Sequence, residues 1–367
     1  MDKSTLSNYG WIVIVTLVLS VMLALATPFG SYVARGASNV IKMFVQSSDN
    51  AVDKDSISNM SKDWDAYLYN TEEVHEVIIP DGGVYTQTQE SVIRSYTKGD
   101  NFPAIQIDDT YRYGNYEYKY VGTSNKWRAY PIKGENVTYE SPLTYINGEP
   151  VVSMVTAFKD FDNNFTLADN FRIPSTVKMM TSIFDGADGL TKLPDGFTIP
   201  DSVLLSGNAF RNCVNLEGLP EGFSMSANAI NIDYFFYNCK KLTNIPASLK
   251  LSPKAAEHHK EVFAYSGITN IPLTFKFPET YRNIECFFYE CQNLKDIPSN
   301  FEIPTTVTSC NYLFYNCKNL TGTILFNSNA EPYACFQGTV QPITITGTSE
   351  FLNEIAATAE NGNVTVG

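Results

Sequence analysis

Seven phenylalanines, Phe158, Phe184, Phe210, Phe236, Phe263, Phe288 and Phe314, recur at a step of 26 residues that slips by one on either side of Phe263. Two other ladders hold the same step without slipping: Leu190, Leu216, Leu242, Ile268, Leu294 and Leu320, and Phe171, Phe197, Phe223, Leu249, Phe275 and Phe301. A further ladder, Ile173, Ile199, Met225, Leu251, Phe277 and Ile303, follows the last of these two residues later. Several apolar ladders in one register at a fixed period are the signature of a solenoid. No single coil buries its own Phe, Leu and Ile, whereas stacked coils bury a continuous core between neighbours.

Within a coil, Phe301 and Ile303 stand two apart, the spacing that puts both on one face of a strand, and Pro304 ends the strand because it has no N–H to donate. Leu294 and Ile297, followed by Pro298, suit a turn of helix or an irregular connection. Each coil is therefore expected to be a strand plus a short return. The period of 26 falls within the range of leucine-rich repeats, roughly 20 to 29 residues.

The pattern Ala209-Phe210-Arg211-Asn212-Cys213-Val214-Asn215-Leu216-Glu217-Gly218-Leu219, with Phe236 to Ile245, Phe288 to Ile297 and Phe314 to Leu320 as close variants, resembles the BspA-like, Treponema-type leucine-rich repeats. The resemblance covers about half the chain. It departs in coils a few residues longer than the family's usual repeat and in a first coil, near Phe158, that lacks the Cys and Leu. It implies a bacterial cell-surface protein that binds proteins, matrix or cells; it does not imply catalysis, and no cofactor is expected.

The expected architecture is multi-part: an N-terminal transmembrane or amphipathic α-helix, a small β-rich module, and an α/β leucine-rich-repeat solenoid. Residues 1–46 form the first part. Trp11 to Phe29 carries no charge and is long enough to span a bilayer. An uncleaved anchor, a pilin-like helix that also self-assembles into a filament, and a signal cleaved near Ala26 all remain open. The continuation after Gly30, with apolar Tyr32, Val33, Val40, Ile41, Phe44 and Val45, favours the first two. The segment is also similar to the N-terminal segments of Flp- and Tad-type pilins, although Asn8-Tyr9-Gly10 lacks their Glu. No Leu-Pro-x-Thr-Gly sorting signal follows the repeats, so attachment is expected at the N-terminus.

Residues 47–63 read as a polar linker and 64–152 as the β-rich module. Tyr111 and Tyr113, then Tyr116, Tyr118 and Tyr120, alternate on either side of Gly114-Asn115, a hairpin signal. Trp127 to Ile132 is a further strand, and Asn147-Gly148 a further turn. The tyrosines are read as cross-strand pairs, with a stacking platform for sugars or peptides as the alternative. The solenoid is placed at 153–340 and a C-terminal cap at 341–367, with a helix from about Ser349 to Glu360 and a short terminal strand.

The formal charge of -13 and the absence of Lys/Arg clusters exclude a nucleic-acid partner. Cys213, Cys239, Cys291 and Cys317 share one repeat position, three after the Phe anchor. They are read as small buried residues, with disulfides between stacked neighbours as the alternative. Cys286, Cys291, Cys310 and Cys317 lack zinc-ribbon spacing. Asp185 to Gly189 reads as a polar turn without a calcium loop's acidic ladder. Of the histidines His75, His258 and His259, the last two are expected on a solvated helix between coils, and no catalytic motif accompanies them. The candidate ligand-binding residues are Arg211, Tyr237, Tyr289 and Tyr315, one residue after the anchor, with Asn212, Asn238, Glu290 and Asn316 beside them. A column of tyrosines suits a protein or glycan ligand on host or neighbouring cells.

Overall fold

The computed structural model describes residues 83–89, 92–96, 107–121, 126–146, 148–330 and 333–367. The expected N-terminal helix, the uncharged segment 11–29, the linker and His75 lie outside the described residues. No helix among the described residues is long and apolar enough to cross a membrane.

The chain enters a seven-stranded sheet of order β2-β1-β3-β4-β5-β8-β7. Its strands are β1 (Val84–Gln89), β2 (Val92–Tyr96), β3 (Thr110–Tyr113), β4 (Tyr116–Val121), β5 (Lys126–Pro131), β7 (Tyr145–Ile146) and β8 (Glu149–Ser153). β6 (Val137–Tyr139) pairs in parallel with β9 (Phe165–Leu167). β3 and β4 form the hairpin expected at Gly114-Asn115, with Tyr111 opposite Tyr118 and Tyr113 opposite Tyr116. Gly114 takes φ +55, the left-handed conformation that such a tight turn needs.

The hairpin tyrosines face inward. Tyr111, Tyr116, Tyr118 and Tyr120 are buried, the Tyr116 hydroxyl donates to the Glu140 carbonyl at 2.8 Å, and the Tyr118 hydroxyl accepts the Leu143 N–H at 2.8 Å. This overturns the stacking-platform alternative and leaves the cross-strand pairs.

The sheet does not end where the coils begin. β8 pairs in parallel with β5, and its last residue, Ser153, bridges in parallel to Met179, which bridges to Leu205, which bridges to Asn231. Phe158, the first anchor, packs between Tyr139 at 5.1 Å and Phe184 at 5.1 Å between ring centroids. One buried apolar cluster runs from Tyr111 through the coils to Val364. The sheet thus covers the first coil's open face, as a terminal cap of a repeat stack must.

The anchor rings form one stack. Successive centroids from Phe184 through Phe210, Phe236, Phe263, Phe288 and Phe314 to Phe336 lie 5.2, 5.4, 5.4, 5.8, 5.6 and 5.7 Å apart, with interplanar angles of 18° or less. Every one of these rings is fully buried. Phe336 extends the ladder beyond Phe314 at a shortened step.

The expectation of an α/β solenoid fails in its helical half, and of the Phe-x-Ile strands expected in each coil only Glu302–Ile303 forms. Coil segments are turns and extended chain. Two corners per coil, mostly opened by proline and otherwise by Ala168, Ser226 or Ser252, are β-turns in which the N–H three residues on returns to the corner carbonyl, as from Phe223 to Pro220, from Val203 to Pro200 and from Ala229 to Ser226. Two further residues per coil, two before and two after the anchor, are left-handed, with φ between 50° and 60° from Thr156 to Ala334 where they are not glycine. Proline and left-handed residues recurring this often leave no run long enough to nucleate a helix. The left-handed residues also turn the peptide planes. The N–H groups of the residue two before the anchor, the anchor, and the residue two after it point to the next coil: Asn208 to the Asp233 carbonyl, Phe210 to Phe235, Asn212 to Tyr237.

Residues His258 and His259 lie in irregular chain between turns, not on a solvated helix. His259 is buried, its ring stacked on Tyr281 at 3.6 Å, with Nδ1 2.6 Å from the Ala255 carbonyl oxygen and Nε2 against the Asn283 carbonyl oxygen. His258 lies 3.5 Å from the buried Asp233 carboxylate.

The last coils shorten. β10 (Glu302–Ile303), β11 (Gly322–Phe326), β12 (Ile343–Thr346) and β13 (Val364–Val366) form a parallel sheet in which Gly322 pairs with Ile343 and Ile343 with Val364. The terminal strand was expected. The terminal helix is shorter than expected: α1 covers Leu352–Ala357, and its Ile355 plugs the core. Just beyond it, the Thr358 hydroxyl accepts the Phe336 N–H at 3.1 Å.

Candidate interaction surface: the tyrosine column

Alternation about each anchor decides which side chains face out. The residue before it is buried in every coil (Ala209, Phe235, Val262, Phe287, Leu313), and the residue after it reaches the surface except at Asp185 and Ala264, which are buried. Arg211, Tyr237, Tyr289 and Tyr315 stand at that second position and are partly exposed.

The structure brings these four into one column only with the help of a residue the spacing missed. Tyr237 and Tyr289 are two coils apart. Tyr265 fills the gap, its ring 5.2 Å from Tyr237 and 5.3 Å from Tyr289. Tyr289 and Tyr315 then stack face to face at 4.9 Å and 3°. The Arg211 guanidinium lies over Tyr237, 5.7 Å from the ring centroid, and heads the column. The slip at Phe263 explains the omission: Ala264 occupies the position after the anchor, and Tyr265 occupies the left-handed position one further on, with φ 60°.

A second line of rings comes from the left-handed residue two before the anchor. Tyr234 packs on Tyr237 at 5.7 Å and Tyr312 on Tyr315 at 5.7 Å, and Tyr333, one residue before the left-handed Ala334, extends the line onto Tyr312 at 5.2 Å. Tyr265 and Tyr333 are the most open, at 38% and 61% exposure. A signal for this line exists in the sequence, since Tyr234 and Tyr312 both stand two before a ladder phenylalanine.

The neighbouring polar residues are held in ladders. Asn238 Nδ2 donates to Asn212 Oδ1 at 2.9 Å, Asn212 Nδ2 to Asp185 Oδ1 at 3.4 Å, and Asn316 Nδ2 to Glu290 Oε1 at 2.6 Å. Tyr265 interrupts this amide ladder. Burial raises the Glu261 carboxyl above the usual range against a hydrogen bond from the Tyr234 hydroxyl. Burial also raises the Tyr289 phenol, which donates to Tyr265, and a hydrogen bond to Tyr333 raises the Tyr312 phenol.

The column cysteines have a repeated task. The thiols of Cys213, Cys239, Cys291 and Cys317 each donate to the carbonyl of an anchor in the preceding coil, Phe184, Phe210, Phe263 and Phe288, at 3.0 to 3.1 Å. All seven cysteines are free. Burial pushes the Cys291 thiol up to about 12. Cys286 reaches about 12 as well, by burial first and then by the carboxylates of Glu261 and Glu285. Such thiols are not reactive thiolates. Among the described residues no group of three or more His, Cys, Asp or Glu is placed to hold a metal ion.

The model of the BspA type leucine rich repeat region matches residues 157–295 and 203–341, in six copies. The two spans overlap and together cover half of the chain. The chain belongs to the BspA-type leucine-rich-repeat family. No curated protein sequence matches this BspA-type protein. Among solved structures it is similar to the leucine-rich-repeat protein TpLRR of T. pallidum, at 19% identity over 61% of this chain and 86% of that one, with a TM-score of 0.32. It is also similar to the pneumococcal vaccine antigen PcpA, at 12% identity over 71% of this chain and 99% of that one, with a TM-score of 0.26. The BspA-type assignment rests on the family model and the residue ladders, not on those two superpositions.

Proposed function

We propose that this BspA-type protein is a non-enzymatic binding protein of the bacterial cell surface, held to the membrane through residues 11–29, and that it engages a protein partner along the tyrosine column. The observation that carries the reading is the unbroken contact from Arg211 through Tyr237, Tyr265 and Tyr289 to Tyr315. Tyrosine supplies a large contact area with only two side-chain torsions to fix, and coil stacking has already fixed them. The face-to-face contact of Tyr289 with Tyr315 spends ring faces that a sugar would need, leaving edges and hydroxyls, which favours a protein over a glycan. Thiols raised by burial and a His259 ring held between two carbonyls support a scaffold rather than a reactive site.

The test is adhesion of the full chain to cells and to immobilised matrix proteins, compared with the triple variant Tyr237→Ala, Tyr289→Ala, Tyr315→Ala. Loss of adhesion in a variant that unfolds at an unchanged denaturant concentration is the expected result; unchanged adhesion overturns the reading. N-terminal sequencing of the mature protein tests the membrane segment: an intact Met1 supports the anchor, a cut just before the apolar run a pilin-like subunit, and a start at Thr27 the secreted form.

A further inference from the structure

The column carries a charge pattern that specifies its partner's chemistry. Three carboxylates are interleaved with the rings. Glu261 stands between Tyr234 and Tyr312 in the left-handed column before the anchor, Glu290 follows Tyr289, and Glu285 adjoins Cys286. Neutral donors hold all three. Tyr234 donates to Glu261, Ser309 and Asn311 to Glu285 Oε1 at 2.5 and 3.0 Å, and Asn316 and Gln292 to the two oxygens of Glu290 at 2.6 and 2.8 Å. The ion pairs among the described residues are formed elsewhere, and none uses Glu261, Glu285 or Glu290. Lys260 and Arg211 act on Glu261 from a distance, but no direct ion pair ties up any of the three, which leaves them available to an outside cation.

Aromatic rings beside carboxylates that form no direct ion pair attract cations twice, through the ring quadrupole and through charge. The molecule shows the geometry within itself. Arg211 occupies the column position that tyrosine takes in later coils, and its guanidinium lies on the next ring, Tyr237, at 5.7 Å. Further along, the exposed rings of Tyr265 and Tyr333 have no such guanidinium over them among the described residues. The chain as a whole carries -13, so long-range attraction favours the same class of partner.

We infer that the tyrosine column docks an arginine-rich, basic segment of a protein partner, its guanidinium groups taking the rings of Tyr265 and Tyr333 and the carboxylates of Glu261 and Glu290. This rests on the column being the binding face, as proposed above. Arginine is favoured over lysine because its planar group both stacks on a ring and pairs with a carboxylate in two places.

The experiment measures fluorescence anisotropy of labelled octa-arginine titrated with the full chain, with labelled octa-glutamate and a glycine-serine octamer as controls. The double variant Glu261→Gln, Glu290→Gln removes both charges at nearly unchanged side-chain size, leaving one acceptor oxygen on each, and is expected to weaken octa-arginine binding at least tenfold. Tyr265→Asn, which suits the left-handed backbone, is expected to weaken it several-fold. The double variant Glu217→Gln, Glu221→Gln, at exposed positions outside the column, is expected to leave binding within twofold. Equal losses in the two glutamate pairs, no binding of octa-arginine, or binding indifferent to Glu261 and Glu290 each overturn the inference. The adhesion assay separates the two readings. Adhesion that needs Tyr237, Tyr289 and Tyr315 but ignores Glu261→Gln, Glu290→Gln keeps the binding face and removes the basic partner; adhesion that ignores the tyrosines removes both.

Discussion

The anchor phenylalanines and the surface tyrosines stand one residue apart along the chain, share one period, and meet different constraints. When the coil between Phe236 and Phe263 gains a residue, the buried stack absorbs it, and the rings stay 5.4 Å apart. The surface column changes residue and position instead, with Ala264 after the anchor and Tyr265 in the left-handed seat. A core ring that leaves its stack opens a cavity, so only one arrangement is tolerated. A surface ring is free to move to another backbone position provided that its ring still reaches its neighbours, as Tyr265 does at 5.2 and 5.3 Å.

Substitutions break or sharpen that contrast. Phe236→Ala, in the middle of the buried stack, is expected to cost about 3–5 kcal/mol, read from urea unfolding of the full chain. Tyr289→Ala is expected to leave urea unfolding much closer to the parent while weakening partner binding by about 2 kcal/mol, the loss typical of a central interface tyrosine. Should Tyr289→Ala destabilise as much as Phe236→Ala, the two columns are both structural and the contrast collapses. The left-handed seats give the next effect. Asn238→Ala, at φ 58°, is expected to lose about 1 kcal/mol of stability, whereas Tyr265→Asn, at φ 60°, is expected to gain a few tenths while losing binding.

The smallest expected effect is on pH dependence, and it belongs to the core. Burial lowers the His259 pKa against the pull of its two carbonyl partners. A group whose folded pKa is depressed binds protons more readily unfolded, so its contribution is present above the unfolded value of about 6.5 and is lost as pH falls below it. Urea midpoints measured at pH 7.5 and 5.5 are expected to fall with acid, and by less in His259→Gln. Tyrosine substitutions are expected to leave this difference unchanged.

The ladders made the buried stack legible from Phe158 to Phe314, and Gly114-Asn115 made the hairpin legible, because periodicity reports directly which side chains share a face. Backbone conformation was less legible. Asn212, Asn238 and Asn316 two residues after the anchor, and a proline at most corners, were the visible traces of non-helical coils, but hydrophobic spacing alone does not distinguish a turn from a helical return. His259 escaped because a charged setting, Lys-Ala-Ala-Glu-His-His-Lys, resembles a solvated helix, while its stacking partner Tyr281 and carbonyl partner Asn283 come from the next coil. Tyr265 escaped because, at the slip around Phe263, Ala264 stands one residue after the anchor and the tyrosine two after. The sharing of β8 between the sheet and the first coils depends on pairing between distant segments, which local pattern does not report.

The one-way hydrogen bonding of the turns gives the anchor column a polarity of its own. From Thr156 to Asn316 the bonds along this column run from an N–H in one coil to a carbonyl in the following coil, so their dipoles add along the stack instead of cancelling as they do between antiparallel strands. The leading end of such a stack always presents unmet donors. Thr358 meets one of them with its hydroxyl, on Phe336. Whatever follows a coil in a stack of this kind must therefore arrive acceptor first, and an inverted repeat inserted into the array would face donor with donor and fail to join.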